Sequence, residues 1–239
     1  METHAYQGRR VLSAGLLCAA VAAGVTACGT SSSTPSSPLA GLTADQIAAK
    51  AITDLKVASS VRVTGDVSSG GQTFDVDLTL VRAQGCDGTL AQHGTGSFQI
   101  LSIGKLLWIK PDTQFWQNAG GSDPAVLKIV SGKYLKVKAT SQFGSFRDFC
   151  DTNQFAGSFG NHPTGLTEGK TATIAGQSAL QIKDTGDAAY LYVSDTAKPQ
   201  ILQIADGSVG NLGFSEYNSP AKLSAPPRRD TLTGAKYGL

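Results

Sequence analysis

Hydrophobic residues recur at every second position from Val61 onward. Val61, Val63 and Val67 alternate with Arg62, Thr64 and Asp66, and Phe74, Val76, Leu78 and Leu80 alternate with Thr73, Asp75, Asp77 and Thr79. Period two places one side chain in three-dimensional register with the next but one, so each run predicts a strand with one apolar face. Ser69-Gly70-Gly71 lies between the runs, and two alternating runs around a Gly-Gly turn predict a hairpin. Residues 88–93, 97–103 and 106–110 continue the pattern, with Gly94 and Gly104 at the turns. Ahead of the strands the period changes. Ile47, Ala48, Ala51, Ile52 and Leu55 share one helical face, and Thr43 stands where an N-cap is wanted. A helix of about four turns therefore leads into an antiparallel meander.

The middle of the chain is less regular. Phe115-Trp116 and residues 125–130 suggest short helices, and Lys133, Lys136 and Lys138 read as the wet side of a strand. Phe143, Phe146, Phe149, Phe155 and Phe159 form an aromatic series with partly helical spacing. Strand patterns return at 166–174, 177–183, 188–194, 199–205 and 212–217. The expected class is α+β: a single curved antiparallel sheet, a half-barrel of about ten strands, with helices packed on its concave face. Such a sheet must cover its apolar face. One amphipathic helix and a short insert are modest cover, so the sheet either closes or leaves apolar surface for a ligand.

The first residues carry a different signal. Arg9 and Arg10 precede an apolar run from Val11 to Val25, and Val25-Thr26-Ala27-Cys28 closes it. Basic, apolar and small residues in that order make a secretory signal. The run is shorter than the ~20 residues a membrane-spanning helix needs. Ending in cysteine, it resembles a bacterial lipoprotein signal, or lipobox. That resemblance implies cleavage before Cys28 and a diacylglyceryl group, bearing palmitate-like chains, on its thiol. Two acyl chains suffice for stable anchoring where one does not. The expected location is the extracytoplasmic face of the cell membrane. Residues 31–38, rich in Ser and Pro, read as a flexible tether. The expected organisation is a signal over 1–27, a lipidated Cys with its tether over 28–42, a folded domain over 43–220, and an extended tail over 221–239.

Charge and cysteines narrow the picture. A net charge of +2 in 239 residues lacks the concentrated basic patch of a nucleic-acid binder. Of the four cysteines, Cys18 lies within the signal and Cys28 takes the lipid. Cys86 and Cys150 remain, and a pair in an extracytoplasmic compartment is expected to form a disulfide.

Catalytic chemistry finds little support. His4 falls in the signal, His93 ends a strand, and His162 precedes Pro163. There is no G-x-S-x-G, H-E-x-x-H, EF-hand loop or phosphate-binding glycine loop. Asp75 and Asp77 share a strand face about 7 Å apart, a spacing compatible with paired carboxylates. Their alternation with Phe74, Val76 and Leu78 favours a solvated face. No enzyme activity, cofactor or metal is expected.

The order of lipobox, tether, helix, meander, helical insert and second meander resembles the actinobacterial lipid-carrier lipoproteins of the LppX/LprG kind, with their LolA-like fold. The segments carrying the resemblance are residues 49–65, a helix followed by Ser-Val and a strand with Gly, then residues 104–110 (Gly-Lys-Leu-Leu-Trp-Ile-Lys), and residues 132–137. The resemblance implies an apolar cavity between sheet and helices that binds, and in that family carries, a lipid or other hydrophobic ligand. Candidate cavity residues are Phe74, Val76, Leu78, Phe98, Ile100, Trp108 and Phe146. The alternative is a sensor or protein-interaction module of the same fold, as in RseB-like stress regulators, with an envelope protein as partner and no cavity.

Overall fold

The computed structural model describes residues 37–69, 71–118, 123–138, 141, 143–144, 146–157, 164–186, 189–207 and 210–237. Cys28 and the expected signal, together with Gly70, Ser158, Phe159 and His162, lie outside them.

Helix α1 spans Ala44–Val57. Thr43 caps it reciprocally: its hydroxyl accepts from the Gln46 amide at 3.3 Å, while the Gln46 side chain accepts from the Thr43 amide at 3.0 Å. Two amides that would otherwise lack partners are thereby satisfied. The apolar stripe expected from the sequence, with Leu55 fully buried, faces the core.

Five antiparallel strands follow: β1 (Ser60–Ser69), β2 (Gln72–Val81), β3 (Gly85–Gln92), β4 (Gly96–Ile103) and β5 (Leu106–Pro111). Short helices α2 (Thr113–Asn118) and α3 (Pro124–Val130) lead to strand β6 (Tyr134–Val137). The aromatic insert folds as α4 (Phe146–Phe149) and α5 (Thr152–Gly157). The second meander comprises β7 (Leu166–Ile174), β8 (Gln177–Asp184), β9 (Ala189–Ser194), β10 (Ile201–Asp206) and β11 (Gly210–Ser215). Its last strand pairs with the first strand of the chain, Val63 opposite Phe214. With a short C-terminal strand, β12 (Thr231–Thr233), the two meanders thereby join into one open, curled sheet, ordered β12-β6-β5-β4-β3-β2-β1-β11-β10-β9-β8-β7.

The sheet has twelve strands rather than about ten, because β6 adds to the two five-strand meanders and the C-terminal residues return to supply one more. Strand β12 (Thr231–Thr233) pairs parallel to β6, Leu232 opposite Leu135. To arrive there the chain leaves the β1–β11 side and passes the outward residues of β2 and β3 at Ala221, Lys222 and Leu223. It then reaches β6, where Lys133 Nζ donates to the Arg229 carbonyl and Asp230 Oδ1, both at 3.0 Å. This route spans β4 and β5, where Leu101 and Trp108 are paired neighbours on the outward face. Each is only 5 % exposed.

Burial on both faces explains why Leu107, Trp108 and Ile109 form a continuous apolar run instead of an alternating one. The main core fills the concave side. There α1 packs over β7, β9 and β10 and against α5, and the shorter helices cover the strands toward β6.

Candidate functional site

The concave face divides into a filled part and a hollow part. The filled part is aromatic. Phe98 of β4 packs edge-on against Phe115 and Phe143, with ring centroids 5.8 and 6.1 Å apart, and lies 5.3 Å from Phe146. Edge-to-face contacts of this kind bring the positive ring edge to a negative ring face, worth about 0.5–1.5 kcal/mol beyond area burial. Asp112 seats the cluster. Its Oδ1 accepts from the Phe115 amide at 2.7 Å, and its Oδ2 accepts from the Ser97 amide and hydroxyl at 2.9 and 2.8 Å. One carboxylate thus fixes the start of α2 to the start of β4. Burial pushes this carboxyl up, but the donors around it outweigh that effect and hold it below the usual carboxylate range.

Beside this plug lies a cavity of about 220 Å³. Its floor is the hairpin: Phe74, Val76, Leu78 and Leu80 of β2, with Val63 and Val67 of β1. Leu90 of β3 and Leu212 of β11 flank it. The roof is the insert, through Phe146 and Phe149 of α4 and Phe155 of α5. Every lining side chain is a hydrocarbon.

The hollow has a local cause. On β1 the inward positions are 61, 63, 65 and 67, and position 65 is glycine, opposite Val76 on one side and Leu212 on the other. Gly65 adopts φ +140°, and a Cβ there would sit 2.0 Å from the Asn211 carbonyl oxygen. Close pairing with β11 therefore requires glycine, and no side chain stands between Val63 and Val67.

A disulfide joins Cys86 of β3 to Cys150, which directly follows α4. It ties the roof to the sheet. Phe155 adds a second tie through its ring, 6.1 Å from that of Phe214 on β11.

The candidates named from the sequence separate cleanly. Phe74, Val76, Leu78 and Phe146 line the cavity. Phe98 and Ile100 do not; at 3 % and 0 % exposure they belong to the filled core. Trp108 is on the opposite face, since the inward residues of β5 are Leu107 and Ile109. Leu212 joins the lining only through the β1–β11 pairing, whereas Val63 and Val67 stand opposite Leu78 and Phe74 in the hairpin that the alternation predicts. Phe149 and Phe155 were visible as members of the aromatic series.

The polar candidates lie on the outward face. His93 Nε2 and Asp75 Oδ2 are 2.9 Å apart and both more than half exposed. Asp77 receives both arms of the Arg62 guanidinium at 2.9 Å, and Arg62 also donates to Glu216 at 3.1 Å. The Arg62 hydrogen bonds hold the Asp77 carboxyl below its usual range. Among the described residues no group of three or more metal-ligating side chains converges, and no helix is long and apolar enough to cross a membrane.

The open curled sheet with helices in its concave face has a counterpart among solved structures. In particular, the chain is similar to LprF from Mycobacterium bovis, with 15 % identity, 77 % of this chain and 96 % of that chain covered, and a TM-score of 0.51. At that identity the likeness establishes the fold alone. Weaker matches are lipoprotein LppX from Mycobacterium tuberculosis (15 % identity, 74 % and 97 % covered, TM-score 0.45) and a LolA-superfamily protein from Nitrosomonas europaea (13 %, 79 % and 96 %, TM-score 0.23). No known family pattern and no curated protein matches the sequence.

Proposed function

We propose that this protein is an envelope lipoprotein, anchored through Cys28, that binds and carries an apolar ligand between its sheet and its aromatic insert. The observation that carries the reading is the cavity beside Gly65: about 220 Å³ lined by apolar side chains. Hydrocarbon-lined space of this kind costs stability. It also takes up apolar molecules, because burial of each methylene is favourable by about 0.8 kcal/mol. The fold shared with LprF is consistent with such a role, as is the lipobox.

Two measurements test it. The first is native mass spectrometry with organic extraction on the full chain carrying Cys28→Ser, directed for secretion. Co-purifying apolar ligand masses that vanish in Val76→Phe support the reading. A ligand-free protein that takes up no fluorescent fatty acid rejects it in favour of a protein-interaction module. The second is membrane fractionation of the wild-type chain, in which loss of membrane association by Cys28→Ser supports the anchor and retention of association refutes it.

A further inference from the structure

The cavity has a direction. Along β2, Phe74 and Val76 are half-buried, whereas Leu78 and Leu80 are 3 % and 1 % exposed. On the paired strand Val67 is half-buried and Val63 is 1 % exposed. Phe149, on the roof, is 45 % exposed. The space is therefore a slot that opens at the β1–β2 hairpin and ends blind beneath Leu80.

The slot is also narrow. A dry cavity of roughly 150 Å³ holds one benzene, so by proportion 220 Å³ takes about nine carbons. The aromatic plug of Phe98, Phe115 and Phe143 occupies the neighbouring part of the concave face, where a second chain would lie. No lining residue offers a hydrogen-bond donor or a charge to a head group. The outermost inward pair of the hairpin that lines the slot is Val67 and Phe74, both half-buried.

We infer that the slot takes a single unbranched alkyl chain, tail first, with about nine carbons buried and the polar head outside at the hairpin. This rests on the ligand-binding reading above and narrows it to one-chain amphiphiles, such as free fatty acids or monoacyl lipids. Two-chain and three-chain lipids have only one chain accommodated.

Titration calorimetry on the full-length Cys28→Ser protein with straight-chain fatty acids of 6 to 16 carbons, below their micelle concentrations, tests this. Affinity should rise roughly fourfold per added methylene up to about ten carbons, and then level off. Didecanoyl phosphatidylcholine should bind no more than about threefold more tightly than the monodecanoyl lipid, and Val76→Phe should move the plateau to shorter chains. A rise that continues past fourteen carbons, or a tenfold gain from the second chain, overturns the single-chain slot while leaving ligand binding intact. Absence of binding by every acid overturns ligand binding itself.

Discussion

Gly65 and Val76 face each other across the β1–β2 ladder, and only Val76 brings a side chain to the concave face. Space thus lies beside a residue that can be enlarged without moving backbone. Val76→Phe should fill it. Because the added ring enters a void, the melting temperature should stay within a few degrees of wild type or rise, as cavity filling commonly adds about 0.5–2 kcal/mol. Fatty-acid binding should fall at least tenfold. Thermal melts and calorimetry of the same sample check both, and a large loss of stability would show that the site is already packed.

The Cys86–Cys150 bond spans 64 positions and joins roof to sheet. The chain-entropy relation gives it about 4 kcal/mol of stabilisation for a loop of this length. The Cys86→Ser/Cys150→Ser double variant should therefore unfold at a clearly lower denaturant concentration. Below its midpoint it should exchange bound fatty acid faster than wild type, since Phe146 and Phe149 lose their covalent tie. Stopped-flow displacement measures that rate. An unchanged rate in a folded variant would mean that the roof is held by packing alone.

Acid should weaken the fold through two carboxylates. Asp77 and Asp112 are both held below the ordinary value of 3.8, so each contributes stability at neutral pH. That contribution begins to fade near pH 4 and is lost as pH falls through the folded values. Asp77 is about half exposed, which limits it to the ~0–1 kcal/mol of a surface pair. Melting temperatures from pH 6 to pH 2 should fall less steeply for Asp77→Asn, and less still for the double variant with Asp112→Asn, than for wild type. Parallel curves for all three would contradict the assignment.

Asp112 also carries a neutral-pH consequence. Asp112→Ala removes acceptors from the Phe115 and Ser97 amides, and loss of such a cap costs about 1–2 kcal/mol. The near-ultraviolet circular dichroism of the aromatic cluster should weaken with it. A loss of stability with an unaltered aromatic signal would place the effect in the helix cap alone.

Much of this was legible beforehand for a simple reason. Where one face of a strand is wet, as on β1 and β2, alternation reports the inward residues directly, and Phe74, Val76 and Leu78 follow. Trp108 escaped that logic because it is buried although it stands on the outward face of β5, and burial on both faces erases the alternation from which parity is read. The void at Gly65 was invisible for another reason. It depends on pairing with Leu212, far away in sequence, and register between distant strands leaves no local mark. Phe98 and Ile100 were correctly inward, but inward position does not distinguish a wall from a filled core.

The position of β12 has a consequence for the order in which the molecule can be completed. A chain made from its N-terminus exposes the free edge of β6 from the moment that strand joins the first meander, and the residues that cover it, Thr231–Thr233, emerge only after the whole second meander. During synthesis that edge is an open template for another strand. A message truncated before codon 231 would leave it open permanently, yielding a product that self-associates although nearly all of its core residues are present.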